Sequence, residues 1–174
     1  RNEPDWPLPE TNLTPYYLHG DGSLSTLSPG SGNDETTEFT YDPSDPVPTI
    51  GGGISAADDF LPAGGFDQRG RPDLFGAQDT LPLNVRGDVL TFQTAPLDED
   101  LEVTGPITMR LWASSSAVDT DFTAKLIDVY PAGEDHREGL AMNITDSILR
   151  ARYRNGWDSP EMMTPGEAYE LVFE

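Results

Sequence analysis

Short runs in which apolar and polar residues alternate recur along this chain, and such alternation is typical of half-buried β-strands. In one run Ile107, Met109, Leu111 and Ala113 share a face, and more polar residues stand between them. No segment keeps an apolar stripe of helical period for more than about two turns. The pattern therefore predicts an all-β protein.

Runs of this kind are separated by turns rich in Gly, Pro and Asp. Many short strands joined by Gly/Pro turns indicate an all-β sandwich or barrel. The predicted strands cover residues 14–19, 37–41, 88–94, 101–105, 107–115, 121–130, 147–154 and 168–174.

Two local patterns give sharper expectations. The stretch "YYLHGDGSLST" predicts a hairpin in which Asp21 and Gly22 both take positive φ values. In 147–154, Arg150, Arg152 and Arg154 alternate with apolar residues, so we expect them to form one stripe that pairs with nearby carboxylates.

Composition narrows the range of possible partners. The 174 residues suit a single domain covering 1–174, and 31 acids against 10 bases leave a net charge of −21. So acidic a surface repels phosphate backbones, which argues against a nucleic-acid partner. The acidity fits either a surface kept soluble by charge or adaptation to a high-salt cytoplasm, and both interpretations stay open.

Other features exclude further classes. The sequence has no cysteine, which removes disulfides and thiolate chemistry, and no apolar run of membrane-spanning length. No glycine-rich loop joins a strand to a helix, so we expect no cofactor. With no signal peptide in the sequence, we expect a cytoplasmic location.

A Gly/Pro/Asp-rich stretch of about 42–88 has little periodicity but contains several large apolar residues. Long segments of this kind inside a compact domain are usually functional or wrap a neighbour. We expect an ordered loop that packs on its own sandwich or on a partner domain.

The stretch "ASSSAVDTD" (113–121) concentrates serine and aspartate between two predicted strands. It lacks the glycine of a nucleophile elbow, so we interpret it as a turn in which Asp119 and Asp121 bond backbone N–H groups. A calcium site at these two aspartates is a weak alternative. The segment "GISAA" around Ser55 resembles a nucleophile elbow and has His136 downstream, but it lacks the flanking strand and helix of a hydrolase elbow. His19 is not followed by a second histidine at the spacing of a zinc site.

Several long motifs together resemble one family: "DWPLPETNLTPYYLHGDGSLS", "YDPSDPVPTIGG", "LTFQTAPLDEDLEVTGPITMRLWASSSAVDTDFTAKLIDVYPAG" and "ITDSILRARYR". In this order, across most of the chain, they are similar to the C-terminal domain of the cocaine esterase/X-Pro dipeptidyl-peptidase group of serine hydrolases (the CocE/NonD family).

The resemblance implies a jelly-roll β-sandwich, galactose-binding-domain-like, that lacks its last strands here. It also implies a partner, which is the α/β-hydrolase catalytic domain of the same protein. That domain is not in this chain, and it carries the catalytic residues for dipeptidyl-peptidase or esterase activity. A second chain or a lost segment would complete the sandwich. We expect no catalytic residue in this chain, and we expect Ile54, Phe60 and Leu61 to line the wall of the substrate pocket. The alternative function is a free-standing carbohydrate-binding jelly roll with Trp6, Trp112 or Trp157 as sugar contacts.

Overall fold

The computed structural model describes residues 5–30, 36–51, 65–72, 77 and 79–174. These residues form strands and loops, with two single-turn 3₁₀ helices at Leu83–Val85 and Ala151–Tyr153 and no α-helix among them. The strands are Tyr17–Leu18 (β1), Leu24–Ser25 (β2), Met109–Ala113 (β3), Asp121–Tyr130 (β4), Leu140–Arg150 (β5) and Tyr169–Phe173 (β6).

The strands pair as three antiparallel ribbons: β1 with β2, β3 with β6, and β4 with β5. The longest ribbon begins where Asp121 faces Arg150 and ends where Tyr130 faces Leu140. Between Leu126 and Ile127 its register shifts by one residue. An extra residue in one strand of a ribbon is a β-bulge, which bends the strand and increases its twist.

The chain divides into two compact units. The first takes its described residues from Arg1–Thr49 and Gln68–Gly105, and it holds β1, β2 and the turn Leu83–Val85. The second takes them from Ile50–Asp67 and Pro106–Glu174, and it holds β3 to β6.

The core of the second unit rests on the β3–β6 ribbon. In β6, Leu171 and Phe173 are buried, whereas Glu170 is exposed and Val172 is half-buried, as expected when alternate side chains point to opposite faces. Burying each of these apolar side chains contributes about 1.5–3 kcal/mol. The predicted alternation is confirmed for Met109, Leu111 and Ala113, which are half-buried with exposed residues between them, but Ile107 lies before the strand and is 42% exposed.

Three of the predicted strands were wrong. Residues 37–41, 88–94 and 101–105 are described, but they form no regular strand; in them only Gln93 makes an isolated bridge, to Ser23. Phe39 and Tyr41 are exposed. An alternating pattern becomes a strand only when a partner strand accepts its backbone hydrogen bonds, and the pattern alone does not reveal whether a partner exists.

The β1–β2 hairpin is confirmed, with a correction to its turn. Gly22 has a φ of 83°, but no other residue type among the described residues has a positive φ, so Asp21 does not. Asp21 Oδ1 instead accepts a hydrogen bond from the N–H of Ser23 at 2.9 Å, and Gly22 N–H donates to the carbonyl of His19. This side-chain turn lets one glycine suffice where the sequence predicted two positive-φ residues.

Within the long segment 42–88, the described residues are anchored at several points. Leu83 N–H donates to the carbonyl of Gln68 at 2.9 Å, and Leu83 is buried. Further along, Asp67 Oδ1 accepts a hydrogen bond from the N–H of Ala141 in β5 at 3.0 Å, and Ile50 is buried. The described parts of this segment therefore pack within the two units.

Candidate functional site

Two loops of the second unit lie side by side: 114–120, which joins β3 to β4, and 151–166, which follows β5. We call them together the loop platform. Backbone hydrogen bonds of 2.8–2.9 Å join them at three points: Ala151 N–H to Thr120 O, Met163 N–H to Val118 O, and Gly166 N–H to Ser115 O. Regular backbone bonds between two connecting segments restrict both, so the loop platform is an ordered surface.

The serine and aspartate run forms the scaffold of the loop platform. Ser115 Oγ accepts a hydrogen bond from the N–H of Ala117 at 3.0 Å, and Asp119 Oδ1 accepts one from the N–H of Arg152 at 3.1 Å. Asp119 Oδ2 also lies 2.7 Å from Arg152 Nε. That N–H is not aimed at the oxygen, so the second contact is ionic and not a hydrogen bond. Asp119 therefore holds a loop 33 residues away, where the sequence predicted a bond inside its own turn.

Asp121 pairs across the β4–β5 ribbon with the residue opposite it. Arg150 Nε and Nη2 donate to its two carboxylate oxygens at 2.8 and 2.9 Å, a bidentate pair. The hydrogen bond from Arg150 lowers the pKa of the Asp121 carboxyl and, in return, raises the pKa of the guanidinium. Lys125 and Asp146 form a similar cross-strand pair at 2.8 Å on the same ribbon.

The weak calcium alternative at Asp119 and Asp121 gains no support from this geometry. An arginine already lies against each carboxylate, and calcium needs six or more oxygen ligands. In the described part of the chain, no three His, Asp or Glu side chains gather closely enough to hold a metal ion.

The three arginines each pair with a carboxylate, but they do not form one stripe. β5 ends at Arg150, and the chain turns into a 3₁₀ helix because Thr120 and Asp119 accept the N–H groups of the next two residues. Arg154 therefore points elsewhere: its side chain is 6% exposed, its guanidinium lies 4.3 Å from the centre of the Tyr169 ring, and it is 3.6 Å from Glu161. The alternating strand predicted over 147–154 was wrong beyond Arg150.

The loop platform also exposes large apolar side chains. Trp157 is 74% exposed, Met162 55% and Val118 53%. The Trp157 ring packs against Tyr153, with ring centres 5.3 Å apart and planes tilted by 31°. A tilted aromatic pair of this kind fixes the ring orientation, and the high exposure of Trp157 leaves its other face open to a partner.

A groove of about 570 Å³ in the first unit is lined by residues from 40–48 and 70–88. Arg86 lines it and donates to both oxygens of Asp88 at 2.8 Å, with Asp45 3.4 Å away. The bond from Arg86 lowers the pKa of Asp88. The sequence did not predict this groove, because Arg86 and Asp45 are 41 residues apart and no periodic pattern links them.

The remaining candidates are dispersed. His19 Nε2 lies 3.0 Å from Ser25 Oγ on the β1–β2 hairpin, and His136 lies in the loop between β4 and β5 with its ring 5.9 Å from that of Tyr130. The guessed pocket-wall residues and the serine of the near-elbow lie outside the described residues: Ile54, Ser55, Phe60 and Leu61. No helix of the described residues is both long and apolar enough to cross a membrane.

Comparison with protein families identifies the class of domain. The chain matches the X-Pro dipeptidyl-peptidase C-terminal non-catalytic domain over residues 1–174. It belongs to this family. The resemblance to the cocaine esterase/X-Pro dipeptidyl-peptidase group is confirmed, as is the predicted non-catalytic, β-sandwich class of domain.

Individual relatives agree with this family assignment. The chain is 40% identical to a cocaine esterase of Rhodococcus sp. (strain MB1 Bresler) over 181 residues, which is 100% of this chain and 28% of the relative. A solved α-amino acid ester hydrolase superposes with a TM-score of 0.71 at 31% identity, covering 92% of this chain and 25% of the hydrolase. An aminopeptidase from a marine sediment Thaumarchaeota archaeon superposes with a TM-score of 0.72 at 27% identity, covering 99% of this chain and 27% of the aminopeptidase. The chain thus spans about a quarter of the length of these proteins.

Proposed function

We propose that this domain braces the α/β-hydrolase domain of a larger serine hydrolase and forms part of the wall of its substrate pocket. The substrates would be acyl esters, amides or X-Pro peptides, the classes that its relatives' names indicate. The observation that carries the proposal is the use of the Ser/Asp run: Ser115, Asp119 and Asp121 hold loops and strands in place and form no nucleophile–base pair.

The exposed apolar surface supports a bracing role. Val129, Ile144 and Ile148 of the β4–β5 ribbon are each about half exposed or more, in addition to the apolar side chains of the loop platform. Burial against another protein surface would remove this apolar area from water, at about 25 cal/mol per Å². A domain that supports a catalytic partner needs such a surface, and a catalytic centre does not.

The test compares the chain alone with the chain joined to its hydrolase domain. We expect the isolated chain neither to hydrolyse p-nitrophenyl esters nor to react with a fluorophosphonate, and we expect the joined protein to do both. The matched control is the joined protein with the nucleophilic serine of its hydrolase domain changed to alanine. Turnover and labelling of a serine in the isolated chain would contradict the proposal.

The pocket wall is the finer part of the proposal. Ile54, Phe60 and Leu61 remain its candidates, from the family resemblance alone. In the joined enzyme, Phe60→Ala should raise KM or lower kcat for bulky esters, because a large apolar contact with the acyl group would be lost. Unchanged kinetics on several esters would remove these residues from the wall.

A carbohydrate-binding module is the second candidate, and one observation favours it. Trp6, Trp112 and Trp157 are 63%, 70% and 74% exposed, and exposed aromatic faces are a common means of stacking on sugars. Binding of the isolated domain to defined glycans on an array, lost in a Trp157→Ala variant, would favour this function over bracing.

A further inference from the structure

The loop platform combines three properties that rarely coincide on a chain of this charge: exposed aromatic and apolar side chains, a fixed backbone, and near-neutrality. We infer that it is the surface through which this domain contacts the hydrolase domain, with Trp157 at the centre of the contact. The inference rests on the proposed function and adds the location and the chemistry of the interface.

The side chains match the composition of protein interfaces. Tyr, Trp, Met and Arg are enriched at interface centres, and the loop platform presents Trp157, Met162 and Tyr153 beside Arg152. Most binding energy at an interface comes from a few such residues, above all Trp, Tyr and Arg. The stacked position of Trp157 on Tyr153 is therefore that of an anchor residue.

The loop that carries Trp157 is held in one conformation. Glu161 N–H donates to the carbonyl of Arg152 at 2.8 Å and closes the loop, and Gly156 N–H donates to that of Tyr153 at 3.0 Å. Asn155 Nδ2 donates to Glu161 Oε2 at 2.8 Å from inside the loop. Because the loop is already ordered, contact with a partner costs little further conformational entropy.

The loop platform is less acidic than the rest of the chain. The whole chain has a net charge of −21 over 174 residues. The 23 residues of the loop platform contain three acids (Asp119, Asp158, Glu161) and two bases (Arg152, Arg154), a formal net charge of −1. Two of the three acids are also paired with these arginines.

A hydrolase domain of the same polypeptide would share its acidic composition, and like charges repel on approach. The loop platform, with a formal net charge of −1, combines little repulsion toward such a partner with exposed apolar side chains. The partner surface would be an apolar patch.

Hydroxyl-radical footprinting tests the contact directly. Trp157 and Met162 are oxidised in the isolated chain and in the full-length polypeptide, and Trp112 on β3, which is 70% exposed, serves as the internal control. If Trp157 is buried in the contact, its oxidation rate should fall several-fold in the full-length protein, because the ring is removed from solvent, while that of Trp112 stays the same. Equal oxidation of Trp157 in both proteins would overturn the inference.

Matched variants add a second measurement. In the full-length protein, Trp157→Ala should shorten the half-life of esterase activity on heating several-fold, and Trp112→Ala should leave it unchanged. Equal effects of the two variants would count against the loop platform. Protection of Trp157 that appears in the isolated chain only at high protein concentration, or only with added cello-oligosaccharide, would show a second copy or a glycan as the occupant and would overturn the inference.

The proposed function and this inference fail in different ways. A full-length protein that is active but leaves Trp157 unprotected refutes the contact surface and keeps the bracing domain. A full-length protein that protects Trp157 but hydrolyses no ester, amide or X-Pro peptide supports the contact and refutes the assigned activity.

Discussion

Removal of the Asp119 carboxylate should release the loop platform, because this one side chain holds both the backbone and the guanidinium of Arg152. Asp119 is 15% exposed and Arg152 32% exposed, so water replaces their contact only in part. A hydrogen bond to a charged group contributes about 1.5–3 kcal/mol, and an exposed ion pair adds at most about 1 kcal/mol. We expect Asp119→Ala to lower the free energy of unfolding by about 2 kcal/mol, which is roughly 4–8 °C in Tm for a chain of this length.

Asp119→Asn separates the two contributions. The amide oxygen still accepts the Arg152 N–H, but the charge is lost, so we expect about half of the effect of the alanine variant. Calorimetry at pH 7 gives Tm, and hydrogen exchange reports protection of the amides of Arg152 and Met163. Asp135→Ala, at an exposed position in the β4–β5 loop, is the control and should change neither. If Asp119→Ala melts within a degree of the parent and the Arg152 amide stays protected, the scaffold interpretation is refuted.

Three further predictions concern charge and core. The pKa of Asp121 is lowered by Arg150, so the pair stabilises the fold above the ordinary carboxyl pKa of 3.8 and loses that contribution as pH falls further. The Tm difference between the parent and Asp121→Asn should therefore shrink between pH 5 and pH 2.5. A constant difference would contradict this. Leu171→Ala, at a fully buried position, should cost about 2–5 kcal/mol in urea unfolding, whereas Ile148→Ala, at a position that is 62% exposed, should cost well under half as much. If self-repulsion from the net charge of −21 limits stability, Tm should rise with KCl up to molar concentrations as salt screens it; a flat or falling Tm would favour charge kept for solubility over adaptation to salt.

Local pattern predicted three strands that find a regular partner strand, which lies close by in the sequence for β4 and far along the chain for β3 and β6. The strand predicted over 121–130 is β4 residue for residue, because its first six residues alternate between polar and apolar and the next segment of the chain folds back to pair with it. β3 and β6 were also predicted to within two residues at each end. The motifs that resemble the hydrolase family predicted the fold for a different reason. Each motif matches the family over a long segment, so the resemblance does not depend on the alternation of apolar and polar residues within one strand.

The alternation of apolar and polar residues did not predict the long-range contacts. The predicted strand over 88–94 failed because its partner would have to come from elsewhere in the chain, and only Gln93 found one. The predicted strand over 147–154 was cut short at Arg150 because Thr120 and Asp119, some 30 residues earlier, accept the hydrogen bonds that turn the chain.

The amino-acid sequence by itself determined the all-β class, the acidic surface and the family, because composition, alternation and motif order can be read from the sequence without knowing which residues meet in space. Only the tertiary structure decided what the aspartates of "ASSSAVDTD" do. Their partners, above all Arg152, become neighbours when β5 folds back on β4, and the energy of an ion pair or a hydrogen bond depends on distance in space and not on separation along the chain.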